Sequence, residues 1–222
     1  VKKIYWLRDA DIVAPEPNPQ LFGTAQAGDM AGVLSEAAEI LNGQSTVFNT
    51  EIQTFNDTAV RYYLDDTIFA VTWKQLFDNA VYTISEVKIS HPSQLRRFFA
   101  GGEFASWQLH RTSDMAASVN AVVASSGDFY KFRPFGIVVY NGELCRFEGW
   151  ALDTCYIDDN GDMLFSRQNE LANPDAAREF IENNNVRFSV TFGPVLIEDG
   201  EITPMPNYYF LGFFPKQTVG CS

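Results

Sequence analysis

Residues 136–147 read Gly136-Ile-Val-Val-Tyr-Asn-Gly-Glu-Leu-Cys-Arg-Phe147. Two short apolar runs flank the dipeptide Asn141-Gly142. Asn-Gly supplies the positive φ angles that a two-residue hairpin turn needs, so we predict an antiparallel hairpin here. The dipeptides Asn160-Gly161 and Asp199-Gly200 also separate apolar runs and predict two further hairpins. Strands joined by such short turns are antiparallel, which excludes a purely parallel sheet.

Helical patterns lie before these hairpins and between the second and the third. Apolar residues from Met30 to Leu41 recur at three-and-four spacing, which predicts a helix beginning after Asp29 and ending near Gly43. Shorter helices are predicted at three further places: 94–100 after the cap His91-Pro92-Ser93, 113–123, and Asn173-Pro174 to Ile181.

Strand-like runs complete the pattern at 67–73, 81–89 and 186–192. In the last of these, Val and Phe are expected to point inward, and Arg187, Ser189 and Thr191 outward. We therefore predict an α+β fold: a mixed, largely antiparallel sheet with flanking helices and several tight hairpins. The alternating prolines 15, 17 and 19 indicate an extended lead-in, so residues 1–66 are predicted to form an N-terminal extension with one amphipathic helix, and 67–222 the main domain.

Composition excludes several classes of protein. The chain of 222 residues is 46% hydrophobic and 20% charged, as in a globular protein with a sizeable core. Its net charge of −12 repels phosphate backbones, so nucleic acid is not an expected partner. No stretch approaches the roughly 20 apolar residues of a transmembrane helix. Three cysteines and two histidines favour neither a disulfide framework nor a zinc site, and no cofactor is predicted; a divalent metal has no support in the sequence.

The densest group of chemically active residues is the stretch Ser125-Ser-Gly-Asp-Phe-Tyr-Lys-Phe-Arg-Pro134. It places a carboxylate, Asp128, within five positions of Tyr130 and Arg133. Cations neutralise a bound phosphate or carboxylate, a ring stacks on a sugar, and a carboxylate binds hydroxyls or moves a proton. The stretch therefore indicates a sugar-phosphate site. A polar loop in which Asp128 only caps a turn is the alternative interpretation.

Two further motifs are candidates for the same site, and one acidic cluster is not. Phe192-Gly193-Pro194 ends a strand and can expose backbone amides at a cleft, and the run Phe213–Gly220 carries the cation Lys216. The cluster Asp158-Asp-Asn-Gly-Asp162 lacks the later Glu of a calcium-binding EF-hand loop, so we interpret it as a hairpin tip. His110 is expected to be a capping or surface residue.

Taken in order, these motifs resemble a known family. The stretches concerned are Val87-Lys-Ile-Ser-His-Pro-Ser-Gln-Leu-Arg-Arg-Phe-Phe-Ala-Gly-Gly102, Thr112-Ser-Asp-Met-Ala116 with Asn120-Ala121, Gly127-Asp-Phe-Tyr130 with Arg133, Gly136-Ile-Val-Val-Tyr-Asn-Gly142 and Phe192-Gly-Pro-Val-Leu196. They resemble the N-terminal half of bacterial phosphodiester glycosidase domains of the exopolysaccharide type. This family includes the mammalian lysosomal "uncovering" enzyme, which removes N-acetylglucosamine from a phosphodiester.

The resemblance implies a hydrolase that acts on a sugar joined through phosphate in a surface glycan. It implies Asp128, Arg133 and Lys216 as catalytic residues, the last two holding the phosphate. It further implies substrate contacts from Ser126, Gly127, Tyr130, Phe192, Gly193 and Thr218. Glycosyl transfer commonly uses two carboxylates; the sequence does not identify the second, for which Asp114 is a candidate.

Three departures from the family pattern support a second hypothesis. Ser126 stands where the family usually has Asn, and Lys216 replaces an Arg, which keeps the charge but loses the bidentate geometry. The family also continues into a glycine-rich Asp-Gly-Gly-Gly-Ser-Ser loop after the position of Ser222, so the domain is expected to be incomplete at its C-terminus. The second hypothesis is a non-catalytic carbohydrate-binding or structural module. Either way, the resemblance implies an extracellular or cell-surface anchored protein.

The cysteines leave two alternatives. Cys145 and Cys155 lie on strands that flank a loop near Trp150, and a disulfide forms only if their Cα atoms are roughly 4.4–6.8 Å apart. Buried free thiols, packed as small apolar groups, are the other alternative. Cys221, near the end of the sequence, is expected to be the reactive thiol.

Overall fold

The chain divides into two units in the computed structural model, which describes residues 13–41, 52–104, 106, 108–128, 130, 132, 135–148, 152–191 and 194–204. The N-terminal unit consists of Val13–Leu95 and Ala116–Ala124. The described residues of the C-terminal unit lie in Arg96–Met115 and from Ser125 onward. Both units contain antiparallel strands and helical residues, so the predicted α+β class is confirmed.

The N-terminal unit contains a four-stranded antiparallel sheet in the order β1-β2-β3-β4 and the helix α1 at Met30–Ile40. Its strands are β1 (Phe22–Ala25), β2 (Val60–Leu64), β3 (Ile68–Phe77) and β4 (Ala80–Ile89). The apolar face of α1 buries Met30 and Ala37 against the sheet, as the spacing predicts. The buried residues of this core are Met30, Ala37, Leu41, Ile52, Val60, Leu64, Phe69, Val71 and Trp73.

This division of the chain differs from the predicted boundary between residues 66 and 67. The boundary falls in the turn between β2 and β3, which are paired from Arg61↔Thr72 to Leu64↔Phe69. Asp65 closes this turn, because one of its oxygens accepts the backbone N–H groups of Thr67 and Ile68, each at 2.7 Å. The residues on either side of 66 therefore belong to one sheet.

Two predicted helices are shorter in the structure or absent from it. Residues 95–99 are not helical: a single 3₁₀ turn at Pro92–Gln94 is capped by His91, whose own N–H is bonded to the Gln94 side chain at 3.0 Å. This reciprocal cap satisfies the local polar groups without a following helix. The helix predicted at 113–123 is α2, Thr112–Ser118. It ends before Asn120, which has a φ of 56° and donates its side-chain N–H to the carbonyl of Ala14.

The C-terminal unit is a five-stranded sheet in the order β6-β5-β9-β7-β8. Its strands are β5 (Val138–Tyr140), β6 (Glu143–Arg146), β7 (Thr154–Ile157), β8 (Met163–Ser166) and β9 (Phe188–Thr191). The hairpins predicted at Asn141-Gly142 and Asn160-Gly161 join β5 to β6 and β7 to β8. The hairpin at Asp199-Gly200 joins β10 (Ile197–Glu198) to β11 (Glu201–Ile202). All three hairpin predictions are confirmed.

Helix α3 spans Pro174–Asn183 and begins where Asn173-Pro174 predicts. The Asn173 side chain accepts the N–H groups of Asp175 and Ala176, and Pro174 occupies the first helical position. The helix packs its apolar face onto the sheet through Ile181 and Phe180. The buried residues of this core are Ile137, Val139, Tyr156, Ile181 and Val186.

One prediction for strand β9 is wrong. Ser189 and Thr191 were expected to point outward, but both are fully buried. The Ser189 hydroxyl accepts the N–H of Val139 at 2.8 Å and donates to the carbonyl of Ile137 at 2.7 Å. These bonds replace backbone pairing in a region where β5 and β9 are paired only at Tyr140↔Phe188. Both faces of this central strand are covered, so polarity does not mark its outer face.

The two described cysteines are free thiols, so the disulfide alternative is wrong. Cys155 lies on β7, between Phe165 of β8 and Val190 of β9. Cys145 lies on β6, and strands β5 and β9 separate β6 from β7. A pair of Cα atoms separated by two intervening strands is too distant for a disulfide. Cys221 lies outside the described residues.

Helix length also bears on membrane insertion. Of the helices in the described part of the chain, none combines the length and apolar character needed to cross a bilayer.

Tyr156 makes the stability of the C-terminal unit depend on pH. Burial raises the pKa of Tyr156 from 10.0 to about 12, while its hydrogen bond with Ser166 opposes the rise. Above pH 10 the unfolded chain loses the phenolic proton and the folded chain keeps it, so stability falls as the pH rises toward 12. The expected loss between pH 8 and pH 11.5 is about 2 kcal/mol, measured by urea unfolding at pH 8, 10 and 11.5.

The matched test of this expectation compares two tyrosine variants. Tyr156→Phe should make the decline in stability above pH 10 less steep, whereas Tyr82→Phe, at an exposed position, should leave the decline as in the wild type. An identical pH slope in the wild type and Tyr156→Phe contradicts the expectation.

Candidate functional site

The candidate site is built around the carboxylate of Asp128, in the C-terminal unit. One of its oxygens accepts the backbone N–H of Thr191, at the end of β9, at 3.0 Å. The same oxygen lies 3.9 Å from a guanidinium nitrogen of Arg97. The Asp128 side chain is only 1% exposed. This carboxylate therefore connects three parts of the chain that are far apart in sequence: residue 97, residue 128 and the end of β9.

Arg97 extends these contacts in two further directions. Its side chain is 10% exposed, and its second terminal nitrogen donates to the carbonyl of Ser189. The guanidinium lies 4.7 Å from the ring centre of Phe99 and 5.7 Å from that of Tyr130. Burial lowers the pKa of Arg97, and the Asp128 carboxylate opposes this. An arginine stays protonated in proteins, so the pair is an ion pair in an aromatic setting.

Four aromatic rings form a cluster beside this ion pair: Phe99, Phe104, Tyr130 and Tyr140. Phe99 is central, with its ring centre 4.4 Å from Tyr140, 4.9 Å from Tyr130 and 6.0 Å from Phe104. Tyr130 also stacks on Phe104 at 5.2 Å. Burial raises the pKa of Tyr130, with the Arg97 charge opposing the rise and the Asp128 charge adding to it.

Arg146, on β6, holds the chain that follows Tyr130. Its guanidinium donates to the carbonyls of Tyr130 at 2.6 Å, Phe135 at 2.7 Å and Gly136 at 3.3 Å. Gly136 has a φ of 104°, and a Cβ there would stand 3.0 Å from the side chain of Thr191. A side chain at 136 would therefore be strained by its backbone angle and crowded by β9.

The predicted site residues divide into three groups. Asp128 and Tyr130 are in the cluster just described, and Ser126 and Gly127 are exposed on the chain leading into it. Asp114 is exposed on α2, where its carboxylate is 3.3 Å from the Ser113 hydroxyl. Arg133, Phe192, Gly193, Lys216 and Thr218 lie outside the described residues. His110 is exposed, with a ring nitrogen 2.8 Å from the Gln108 side chain.

Sequence reasoning missed Arg97 and Arg146 as members of the site. A signal for Arg97 was present, because Arg96-Arg97 directly precedes Phe98-Phe99, and cations beside aromatic residues often pack together. The sequence gives no such signal for Arg146, because it is simply the last residue of the hairpin strand β6.

A second polar network fixes the segment after residue 193. The buried Asp153 accepts the N–H groups of Val195 at 3.1 Å and Gln168 at 3.0 Å, and Arg167 links it to Glu198. Burial lowers the pKa of Arg167, but Glu198 and Asp153 outweigh it, and the net shift is upward. Asp153 thus holds the chain beyond the Phe192-Gly193-Pro194 motif.

The acidic residues of the β7–β8 turn form a hairpin tip, as predicted. One oxygen of Asp158 accepts the backbone N–H groups of Asn160 at 2.9 Å and Asp162 at 2.8 Å. Across the described ranges, no group of three His, Cys, Asp or Glu residues is arranged to hold a metal ion.

Comparison with known proteins adds no relative to these observations. No family model, no curated protein and no solved structure matches the chain.

Proposed function

We propose that the protein is a phosphodiester glycosidase-like hydrolase acting on a sugar joined through phosphate in a surface glycan or glycoconjugate. The ligand is then a carbohydrate or sugar phosphate, and Asp128 stands at the reacting centre. Arg133 and Lys216 hold the phosphate in this proposal, and Tyr130 and Phe192 contact the sugar. The exposed Ser126 and Gly127, together with Gly193 and Thr218, complete the contacts to substrate.

One observation carries this proposal: residues of two motifs of the family resemblance, and the residue just before a third, meet at one carboxylate. Arg97 comes from the first motif, Asp128 from the central one, and Thr191 directly precedes Phe192-Gly193 of the last. Asp128 contacts both of the others, at 3.9 Å and 3.0 Å. Tyr140, from the Gly136–Gly142 motif, joins the same cluster through Phe99. Residues that are more than 90 positions apart, such as Arg97 and Thr191, need not be neighbours in a fold. Their meeting at Asp128 therefore supports a common role for the motifs.

A second candidate function is a non-catalytic carbohydrate-binding module on the same scaffold. The burial of Asp128 favours it, because a carboxylate that is 1% exposed and held by Arg97 and Thr191 has the contacts of a structural anchor. In that case the exposed Ser126-Gly127 segment binds ligand, and Asp128 holds the segment in place.

Hydrolysis and binding, measured on the same compound, distinguish the two functions. We expect the wild-type chain to cleave a synthetic sugar phosphodiester that carries a chromogenic alcohol. Asp128→Asn, which keeps the side-chain volume, should lower the rate about 100-fold or more, the usual contribution of a group that transfers a proton. Asp159→Asn, at an exposed position on the β7–β8 turn, is the matched control and should keep the wild-type rate.

Each outcome of this experiment decides between the candidates. Wild-type hydrolysis that survives Asp128→Asn removes Asp128 from the reacting centre. Calorimetric binding without hydrolysis favours the binding module. Neither binding nor hydrolysis, with any of several sugar phosphodiesters, contradicts both.

A substrate in a surface glycan also implies a location. We propose that the protein is extracellular or anchored at the cell surface. Fractionation of cells that express the natural gene checks this, and a protein found solely in the cytoplasmic fraction contradicts it.

A further inference from the structure

Arg97 connects strand β9, the Asp128 carboxylate and the aromatic cluster of the candidate site. One terminal nitrogen donates to the Ser189 carbonyl on β9, and the other faces Asp128. The plane of the guanidinium lies against Phe99 and Tyr130. A guanidinium is rigid and planar, with five donors in fixed directions, so it can donate to the Ser189 carbonyl, carry its charge beside Asp128 and lie over two rings at once.

We propose that Arg97 is the positioning residue of this site: its guanidinium fixes the Asp128 carboxylate against β9 and so presents the Ser126-Gly127 segment in one conformation. Arg97 acts through Asp128 and Tyr130 and does not itself contact substrate. The effect on catalysis rests on the proposed function, whereas the effect on the conformation of residues 125–130 does not.

The contacts support positioning over simple packing for a physical reason. Residues 125–128 lie in no β-strand, and the Asp128 side chain accepts the backbone N–H of Thr191, at the end of β9. Asp128 could not remain buried and charged without a nearby cation, because an isolated buried charge is costly. Arg97, at 3.9 Å, supplies that cation. Removing Arg97 should therefore release this segment while leaving the strands of the sheet paired.

Amide hydrogen exchange of the whole chain tests the proposal without any substrate. In Arg97→Met, which keeps much of the apolar stem, exchange at 125–130 and at the Thr191 amide should be at least about 10-fold faster, as in a local opening. Exchange in the N-terminal unit should match the wild type. Arg178→Met is the matched control, since Arg178 is exposed on α3 and pairs only locally, with Asp175 at 2.7 Å; it should change neither region.

Arg97→Lys separates the guanidinium geometry from the charge. A lysine keeps the charge near Asp128 but does not provide the planar fork that reaches Ser189 and Asp128 together. We expect exchange at 125–130 to stay fast in this variant. Wild-type protection in Arg97→Lys overturns the proposal, because charge alone would then suffice. Unchanged protection in Arg97→Met, or uniformly faster exchange throughout the C-terminal unit, overturns it as well.

A kinetic measurement adds the functional part. With a sugar phosphodiester as substrate, Arg97→Met should lower kcat about 100-fold, the scale expected when a reacting group is displaced by about 1 Å. An unchanged kcat overturns the positioning role in catalysis. If the wild type hydrolyses no sugar phosphodiester, the proposed function fails, and the exchange experiment still decides whether Arg97 orders the segment.

Discussion

Asp128→Ala is expected to destabilise the C-terminal unit by about 3–5 kcal/mol, the usual cost of removing one partner from a buried ion pair. The side chains of Asp128 and Arg97 are 1% and 10% exposed, so water cannot replace the lost carboxylate fully. The variant also leaves the N–H of Thr191 without the acceptor that Asp128 provides, at 3.0 Å. Urea unfolding followed by circular dichroism measures the loss.

Asp159→Ala is the control for this expectation. Asp159 is exposed, and its replacement should change the free energy of unfolding by no more than about 0.5 kcal/mol. If Asp128→Ala is as stable as Asp159→Ala, then the carboxylate does not anchor the loop, and the candidate site loses its centre.

The parts of the fold that sequence predicts well are those determined by local chemistry. Asn141-Gly142 adopts φ values of 48° and 77°, which side chains other than Asn and Gly rarely accept, so the turn and its two strands follow from the dipeptide. The start of α3 follows likewise from Asn173, which caps it, and from Pro174. Neither feature depends on distant parts of the chain.

The parts that sequence predicts poorly are those determined by distant contacts. Strand β1 pairs with β2, about 40 residues later, and nothing in Phe22–Ala25 itself indicates that partner. Ser189 has the polarity of an outer-face residue, yet it is buried, and its hydroxyl bonds the backbone of Val139 in β5 and of Ile137 just before that strand. The pattern at 94–100 suits a helix, but the cap at His91–Gln94 closes after one turn.

In the candidate site, too, contacts between residues that are far apart in sequence could not be predicted. The sequence identified Asp128 and Tyr130 because they lie within one short stretch. The sequence also leaves open whether Asp128 takes part in the chemistry or only holds a loop. The burial of the Asp128 side chain supports the role of holding the loop. Arg97 was missed because its contacts with Asp128 and Ser189 span 31 and 92 residues of chain, a separation that no local pattern encodes.

Phe99→Ala is expected to have a comparably large effect, about 3–5 kcal/mol of destabilisation, because it removes a ring at the centre of the aromatic cluster. Phe99 is 2% exposed and its ring centre lies 4.9 Å or less from those of Tyr130 and Tyr140. The guanidinium of Arg97 also rests on this ring, at 4.7 Å. The cavity left by the missing ring would therefore loosen both the aromatic cluster and the Arg97–Asp128 ion pair. Thermal and urea unfolding should both show the loss of stability.

Phe132→Ala provides a control with the same change of side chain. Phe132 lies only two residues beyond Tyr130 but is 67% exposed, so its replacement should alter stability by no more than about 0.5 kcal/mol. The difference between the two variants separates burial in the cluster from the general effect of losing a ring. If both variants unfold at the same urea concentration, the burial of Phe99 in the aromatic cluster does not stabilise the C-terminal unit.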